Sequence, residues 1–308
     1  MAAGALSADP DLLRERLGRI GAWLSAISSQ GAATTGRAAA ALEEMGWRAW
    51  WGGEGPRSRD VLANSAVILA ATTRLAVTTA VANIYARDPM AAKSGALTLG
   101  DAFPGRFAFG IGVSHAPLVG SRGHDYGRPL AAMREYLDAM DRAEYVPPAP
   151  AEPVPVLLAA LRPKMLELAA TRTCGTHTYL VPVDHTAAAR RQCGSRPYIA
   201  PELMVVLEDD PGRARATARR ATAPYFDNFP NYVNNLRQFG YEDEDFAGGG
   251  SDRLIDALIA WGDVEAVRER VEAHLDAGAD HVCVQPLGRD LEGALADLRT
   301  LAPTLLEL

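Results

Sequence analysis

A (β/α)8 barrel is the fold predicted by this 308-residue sequence, on three observations. From Arg19 onward, short apolar runs of strand length alternate with longer stretches of helical period. The number of runs approaches eight, which argues for repeated βα units around a parallel sheet. The length is also one that a single barrel fills without a second domain, so one domain over 1–308 is expected.

Taken in order, strands are expected at Ile20 to Ala26, Ala49 to Gly53, Leu75 to Asn83, Phe107 to Val113, Val154 to Leu161, Thr178 to Val181, Leu203 to Leu207 and His281 to Gln285. Two helices anchor the pattern. Pro129 suits a first helical position, and Leu130, Met133, Leu137 and Met140 then fall on one face. Asp263 reads as an N-cap, Val264, Val267, Val271 and Leu275 form a stripe, and Gly278 stops the helix before HVCVQ. The proline-rich run Tyr145 to Pro155 suits neither helix nor central strand and reads as a connector into the fifth strand. The aromatic and acidic stretch 225–251, ending in three glycines, is expected as an insertion after the seventh strand, either a lid or a helical decoration.

Composition narrows the function. Hydrophobic residues make up 48% and charged residues 22%, an ordinary globular balance. A net charge of −7 argues against a phosphate-backbone binder, so nucleic acid is not an expected partner. Cys174, Cys193 and Cys283 are odd in number and lack C-x-x-C spacing, which fits a reducing cytoplasm better than a disulfide framework or a structural zinc site. The N-terminal stretch shows no cationic start followed by an apolar run, and no segment reaches membrane-spanning length, so no membrane partner is expected.

Several chemistries are set aside on motif grounds. The first strand offers only Trp23 and Ser25 as large or polar groups, not the paired imidazoles or carboxylates of a metal-dependent hydrolase barrel, and no metal is expected. GIGVSH starts like a phosphate loop but lacks the third glycine and a following acidic partner. Neither a P-loop nor a G-x-S-x-G elbow occurs.

The informative segment is Leu75 to Pro117. It carries Asn83, Tyr85, Arg87 and Pro89, then Gly105, Arg106, Phe107, Gly110 and Gly112. These positions resemble the Asn-x-Tyr-x-Arg-x-Pro and Gly-Arg-Phe-x-x-Gly-x-Gly patterns of the luciferase-like flavin and deazaflavin oxidoreductases. Within that family the chain most resembles a branch using coenzyme F420. The likeness runs from about Gly18 to the C-terminus.

The resemblance implies a luciferase-like TIM barrel whose cofactor ring lies at the C-terminal mouth, where barrel loops gather catalytic groups. It implies a non-proline cis peptide at Ala80-Val81 behind the ring, with Ala80, Val81, Ala82 and Asn83 as cofactor contacts. For the cofactor phosphate, the helix opening at Arg162, Pro163, Lys164 and Met165 offers free backbone amides and a positive dipole end. His115, just after the fourth strand, stands where relatives often have a catalytic acid, and imidazole can give or take a proton near neutral pH. Glu54 matches an acidic position of the family and is the second candidate, with His115, for handling the proton, but Gly55 stands where a histidine often follows, so a mechanism relying on that histidine does not carry over. The alternative for Glu54 is a helix cap or a pair with Arg59. His124, Tyr126 and Tyr179 are candidate substrate contacts. His177 falls near or inside the sixth strand, His185 reads as a surface residue at a helix start, and His274 and His281 read as structural.

The function expected is hydride transfer between coenzyme F420 and a small-molecule organic substrate. One alternative is an FMN and oxygen-dependent monooxygenase served by a separate reductase. The other is a barrel that binds a flavin-like ligand without turnover. A homodimer paired through the apolar helices VLANSAVILAA and MAAKSGALTLG is expected from the way relatives pair.

Overall fold

A computed structural model describes residues 6–308. Eight parallel strands close on themselves: β1 Ile20–Trp23, β2 Ala49–Gly52, β3 Ala76–Thr79, β4 Phe107–Gly112, β5 Val154–Ala159, β6 Gly175–Thr178, β7 Tyr198–Leu207 and β8 Val282–Pro286. Closure runs β8 to β1 through Val282↔Ile20 and Val284↔Ala22, so no barrel edge is left open. Outward-facing side chains such as Val77, Phe109 and Leu203 join the helices in the main core, while Trp51, Tyr198 and Cys283 pack inside the barrel. Among the described residues, no helix is long and apolar enough to cross a membrane.

The barrel and its eight runs agree with the sequence reading, and several boundaries do not. The first strand stops at Trp23 because Ser25–Ser29 turn into a 3-10 helix. The sixth strand is Gly175–Thr178, several residues earlier than expected: Leu180 adopts φ +54°, so the chain has already turned out of the sheet. The seventh starts at Tyr198 and is ten residues long. Two short strands were not foreseen. Leu6–Ser7 adds to β5, and Ile259–Gly262 runs parallel to β7 opposite Met204 to Leu207, along the edge β6 leaves when it ends opposite Pro201.

The helices follow the expected logic. The helix α1 is Pro129–Arg142, with Met133, Leu137 and Met140 buried. The helix after β5, α2 (Pro163–Arg172), has no side-chain cap at its Arg162 N-cap. The helix α3, Val264–Asp276, is capped by Asp263 and followed by Gly278 at φ +103°. His185 is buried, not on the surface: its Nε2 donates to the Leu161 carbonyl at 2.7 Å, tying the helix after β6 to the end of β5. His274 and His281 are also buried, bonded to Thr186 and to Trp51 with Gly18 respectively.

Stretch 225–251 begins inside a long helix, Pro211–Asn228, and continues as short helices Pro230–Leu236 and Asp243–Phe246 joined by 3-10 turns. Its aromatic residues Phe226, Tyr232 and Phe246 form a second apolar cluster over β7, separate from the main core.

Candidate active site

A cavity of about 640 Å³ opens at the C-terminal mouth of the barrel, within the usual range for small-molecule sites. Four groups of residues build it.

The first wall is β3 and its neighbours. β3 pauses after Thr79 and resumes at Ala82–Asn83, and the peptide between Ala80 and Val81 is cis. β4 makes room for this bulge. A Cβ on Gly110 would stand 1.9 Å from the Thr79 carbonyl oxygen, and one on Gly112 would stand 2.4 Å from Val81 Cγ2. The G-x-G of β4 is therefore packing space for the bulge, consistent with its poor match to a phosphate loop. Ala80, Val81 and Asn83 line the cavity together with Gly53; Ala82 is buried behind it.

Glu54 follows β2 and meets β3 here. Asn83 N donates to Glu54 Oε2 at 2.9 Å, Arg87 Nη1 donates to the same oxygen at 2.9 Å, and Arg87 Nη2 binds Oε1. Arg87 also reaches Asp60 at 2.7 Å. Glu54 thus neither caps the next helix, which Asp60 caps, nor pairs with Arg59, whose guanidinium donates to the Gln30 carbonyl.

The second wall follows β4. Ser114 takes φ +58°, an uncommon conformation for a residue with a side chain, and turns His115 into the cavity wall. His115 Nδ1 lies 3.1 Å from Asn231 Oδ1, and its ring stacks on Phe229 at 4.2 Å with 24° between planes. Burial pushes the imidazole pKa down, and the Asn231 contact opposes that in part. Tyr126 also lines the cavity, donating its hydroxyl to the Ser114 carbonyl at 3.1 Å, and burial raises its pKa to about 12. His124 is exposed and does not line the cavity; its ring leans on Tyr85.

The third group is the end of β5 and the start of α2. Ala159, Ala160, Arg162 and Met165 line the cavity, while Pro163 and Lys164 are exposed beside it. Because Arg162 offers no side-chain acceptor, the Lys164 amide is not capped as Asp60, Asp88 and Asp263 cap theirs. The free amides at 162–165 are fewer than the sequence suggests, since Pro163 has no N–H and the Met165 amide donates to the Arg162 carbonyl at 3.0 Å.

The floor and the far wall are aromatic. His177 stacks between Trp23 and Trp51 at 5.4 and 5.2 Å, and its Nδ1 donates to the Ala200 carbonyl at 2.9 Å. Burial lowers its pKa to about 4, so the ring is neutral. Tyr179 donates to Gln285 Oε1 at 3.2 Å, which leaves Tyr225 as donor in the 2.9 Å Tyr225–Tyr179 contact. Beneath them Glu202 is buried with Oε1 unpartnered, and burial raises its carboxyl pKa to about 8. Among the described residues no group of side chains could hold a metal ion.

A family model of luciferase-like monooxygenases matches residues 17–281. The chain belongs to the luciferase-like monooxygenase family. No curated protein matches its sequence significantly. Among solved structures, it is similar to a coenzyme F420-dependent tetrahydromethanopterin reductase from Methanopyrus kandleri, with 16% identity, 93% of this chain and 99% of that one covered, and a TM-score of 0.75. It is similar to an F420-dependent secondary alcohol dehydrogenase bound to an F420-acetone adduct, at 16% identity, 93% and 98% coverage and a TM-score of 0.68. It is also similar to the oxygenating constituent of 3,6-diketocamphane monooxygenase from Pseudomonas putida in complex with FMN, at 14% identity, 93% and 98% coverage and a TM-score of 0.64. At these identities the likeness is one of fold. Solved structures of this shape thus include both F420-dependent and FMN-bound proteins, and the fold alone does not choose between the two.

The sequence reading missed the far wall. Phe229, Asn231 and Tyr232 reach the cavity from the insertion, and Ser114 and Leu118 from the loop after β4. The aromatic density of YFDNFPNY was the available signal.

Proposed function

We propose that this protein transfers a hydride between coenzyme F420 and a small neutral organic substrate. The observation that carries the reading is one cavity uniting a wall of small residues, an uncapped helix N-terminus and a histidine whose free nitrogen can handle a proton.

The residues fit such a cofactor. Gly53, Ala80, Ala159 and Ala160 keep side-chain bulk low where a flat ring system would lie. The Lys164 amide and the positive dipole end of α2, with the Arg162 guanidinium beside them, would hold an anionic tail. When bound, a deazaflavin supplies the carbon centre that gives or accepts a hydride. The protein's residues do the rest. His115 takes or gives a proton at Nε2, since Nδ1 is engaged by Asn231. The aromatic wall of Tyr225, Phe229 and Tyr232 excludes water and offers a substrate flat apolar surface. Glu54, bound on both oxygens, anchors the end of β3 against Arg87. Pairing of two copies through Val61–Ala70 and Pro89–Ala102, where Met90 is 66% exposed, completes the proposal.

FMN is the rival ring, and with it an oxygen-dependent reaction and a reductase partner. His115 suits hydride exchange with an organic substrate, in which a proton moves at the reacting atom, but oxygen chemistry on reduced FMN also consumes protons, so the choice of ring rests on binding. Titrating the purified protein with coenzyme F420 and separately with FMN tests this. Tighter binding of F420 is expected; binding of FMN alone would overturn the assignment.

A further inference from the structure

We infer that Asn231 is a positioning residue that holds His115 in one neutral tautomer, with Nε2 a bare acceptor, so that the resting site selects a ligand's hydroxyl over the carbonyl of the same carbon skeleton. The ligand part rests on the hydride-transfer reading above; the tautomer does not.

The contact atoms set the tautomer. A carboxamide oxygen only accepts hydrogen bonds, so the 3.1 Å contact between Asn231 Oδ1 and His115 Nδ1 requires the proton on Nδ1. A neutral imidazole has one N–H, so Nε2 is left with its lone pair. Burial disfavours a second proton, and Asn231 only partly offsets that burial.

The ring is also held in place. Phe229 stacks on it at 4.2 Å and Tyr232 packs at 5.3 Å, both from the insertion that carries Asn231. On its own segment, Ser114 at φ +58° fixes the backbone, and Tyr126 holds the Ser114 carbonyl. The titratable or charged groups that share this cavity are Tyr126, Tyr179, Tyr225 and Tyr232, with Arg162, His177 and Glu54. The downward shift of His115 arises from burial, opposed in part by Asn231, with no neighbouring charge contributing. His115 lines the cavity, and among the described residues its Nε2 meets no partner in the chain.

A bare Nε2 accepts a hydrogen bond from an alcohol and repels the oxygen of a ketone. Below the pKa of His115, Nε2 gains a hydrogen and the preference inverts. The sequence marks His115 as a group that gives or takes a proton; the Asn231 contact makes it an acceptor at rest.

Two measurements on the full chain test this, neither using a cofactor, so failure of the F420 assignment would leave both readable. In protein labelled with nitrogen-15 histidine, with His115 assigned by its loss in His115→Gln, wild type at neutral pH should show a protonated Nδ1 and an unprotonated Nε2. Asn231→Leu should give mixed tautomers, and Asn231→Asp should raise the His115 pKa by about one unit or more. A wild-type signal with the proton on Nε2, or an Asn231→Leu signal identical to wild type, overturns the inference. The second measurement titrates 1-phenylethanol and acetophenone against the His115 resonance. At neutral pH wild type should bind the alcohol at least about threefold tighter, with the ratio falling toward one in Asn231→Leu. Acetophenone binding as well as or better than the alcohol would refute the hydroxyl selection.

Discussion

Arg87 grips both oxygens of Glu54, joining the loop after β2 to the segment that follows β3, with the Asn83 amide as a further donor. Both side chains are nearly buried, at 10% and 4% exposed. Removing one partner of such a pair strands the other as an uncompensated charge. Glu54→Ala should therefore lower stability by about 3 kcal/mol, with Asp60 retaining part of the guanidinium's hold. Urea unfolding reads this directly, and an unchanged midpoint would show that the pair is dispensable.

Gly110 gives a second stability prediction. An added Cβ would sit 1.9 Å from a backbone oxygen of the bulged strand, which cannot yield as a flexible side chain would. Gly110→Ala should destabilise by about 3 kcal/mol or more, at the upper end of overpacking costs. Thermal unfolding close to wild type would mean β3 can shift to accommodate it.

The alternation of strand and helix signals was enough to expose the barrel, because each β run is apolar and each covering helix repeats at helical spacing. The sixth strand was misplaced because its true residues, Gly175 to Thr178, are small or polar and form no apolar run, with His177 turned into the barrel between Trp23 and Trp51. Ile259–Gly262 was missed because it follows Asp252–Leu258 with no intervening turn signal. At the cavity, residues close to strand ends such as His115 and Arg162 were legible from their place after an apolar run. Asn231 and Phe229 were not: the aromatic run marks an insertion, but nothing local tells where it folds back. The exchange of Arg59 for Arg87 as the Glu54 partner has the same cause: the contact spans from β2 to β3 and depends on tertiary placement.

Glu202 predicts a pH effect. Burial lifts its pKa from 4.5 to about 8, with only the Leu180 amide, at 3.3 Å, acting against it. Between these values the unfolded chain has released the proton and the native chain still binds it. Stability from this group is therefore full below about pH 4.5, falls by up to about 1.4 kcal/mol per pH unit as pH rises, and levels off above about pH 8. Glu202→Gln should remove that slope, so the variant gains on wild type as pH rises. Parallel stability curves for the two proteins would contradict the buried, protonated carboxyl.

His115→Ala should lower turnover by about 10²- to 10⁴-fold, the usual contribution of a general acid or base, and leave F420 affinity within a few-fold of wild type. Paired kinetics and binding on the same preparation separate the two. Loss of binding in step with turnover would make His115 a cofactor contact instead of the proton carrier.

The proposed function requires a deazaflavin ring in the cavity between the β3 bulge and the start of α2. Ala159 lines that cavity at the end of β5, so Ala159→Phe should fill ring space from a partly exposed position while the fold is retained. Equilibrium titration of wild type and Ala159→Phe with coenzyme F420, with folding of the variant checked by circular dichroism, decides whether the ring binds there. Wild type should bind and a folded Ala159→Phe should lose at least about tenfold in affinity, roughly 1.4 kcal/mol. Equal affinity in the two proteins would contradict the placement of the ring.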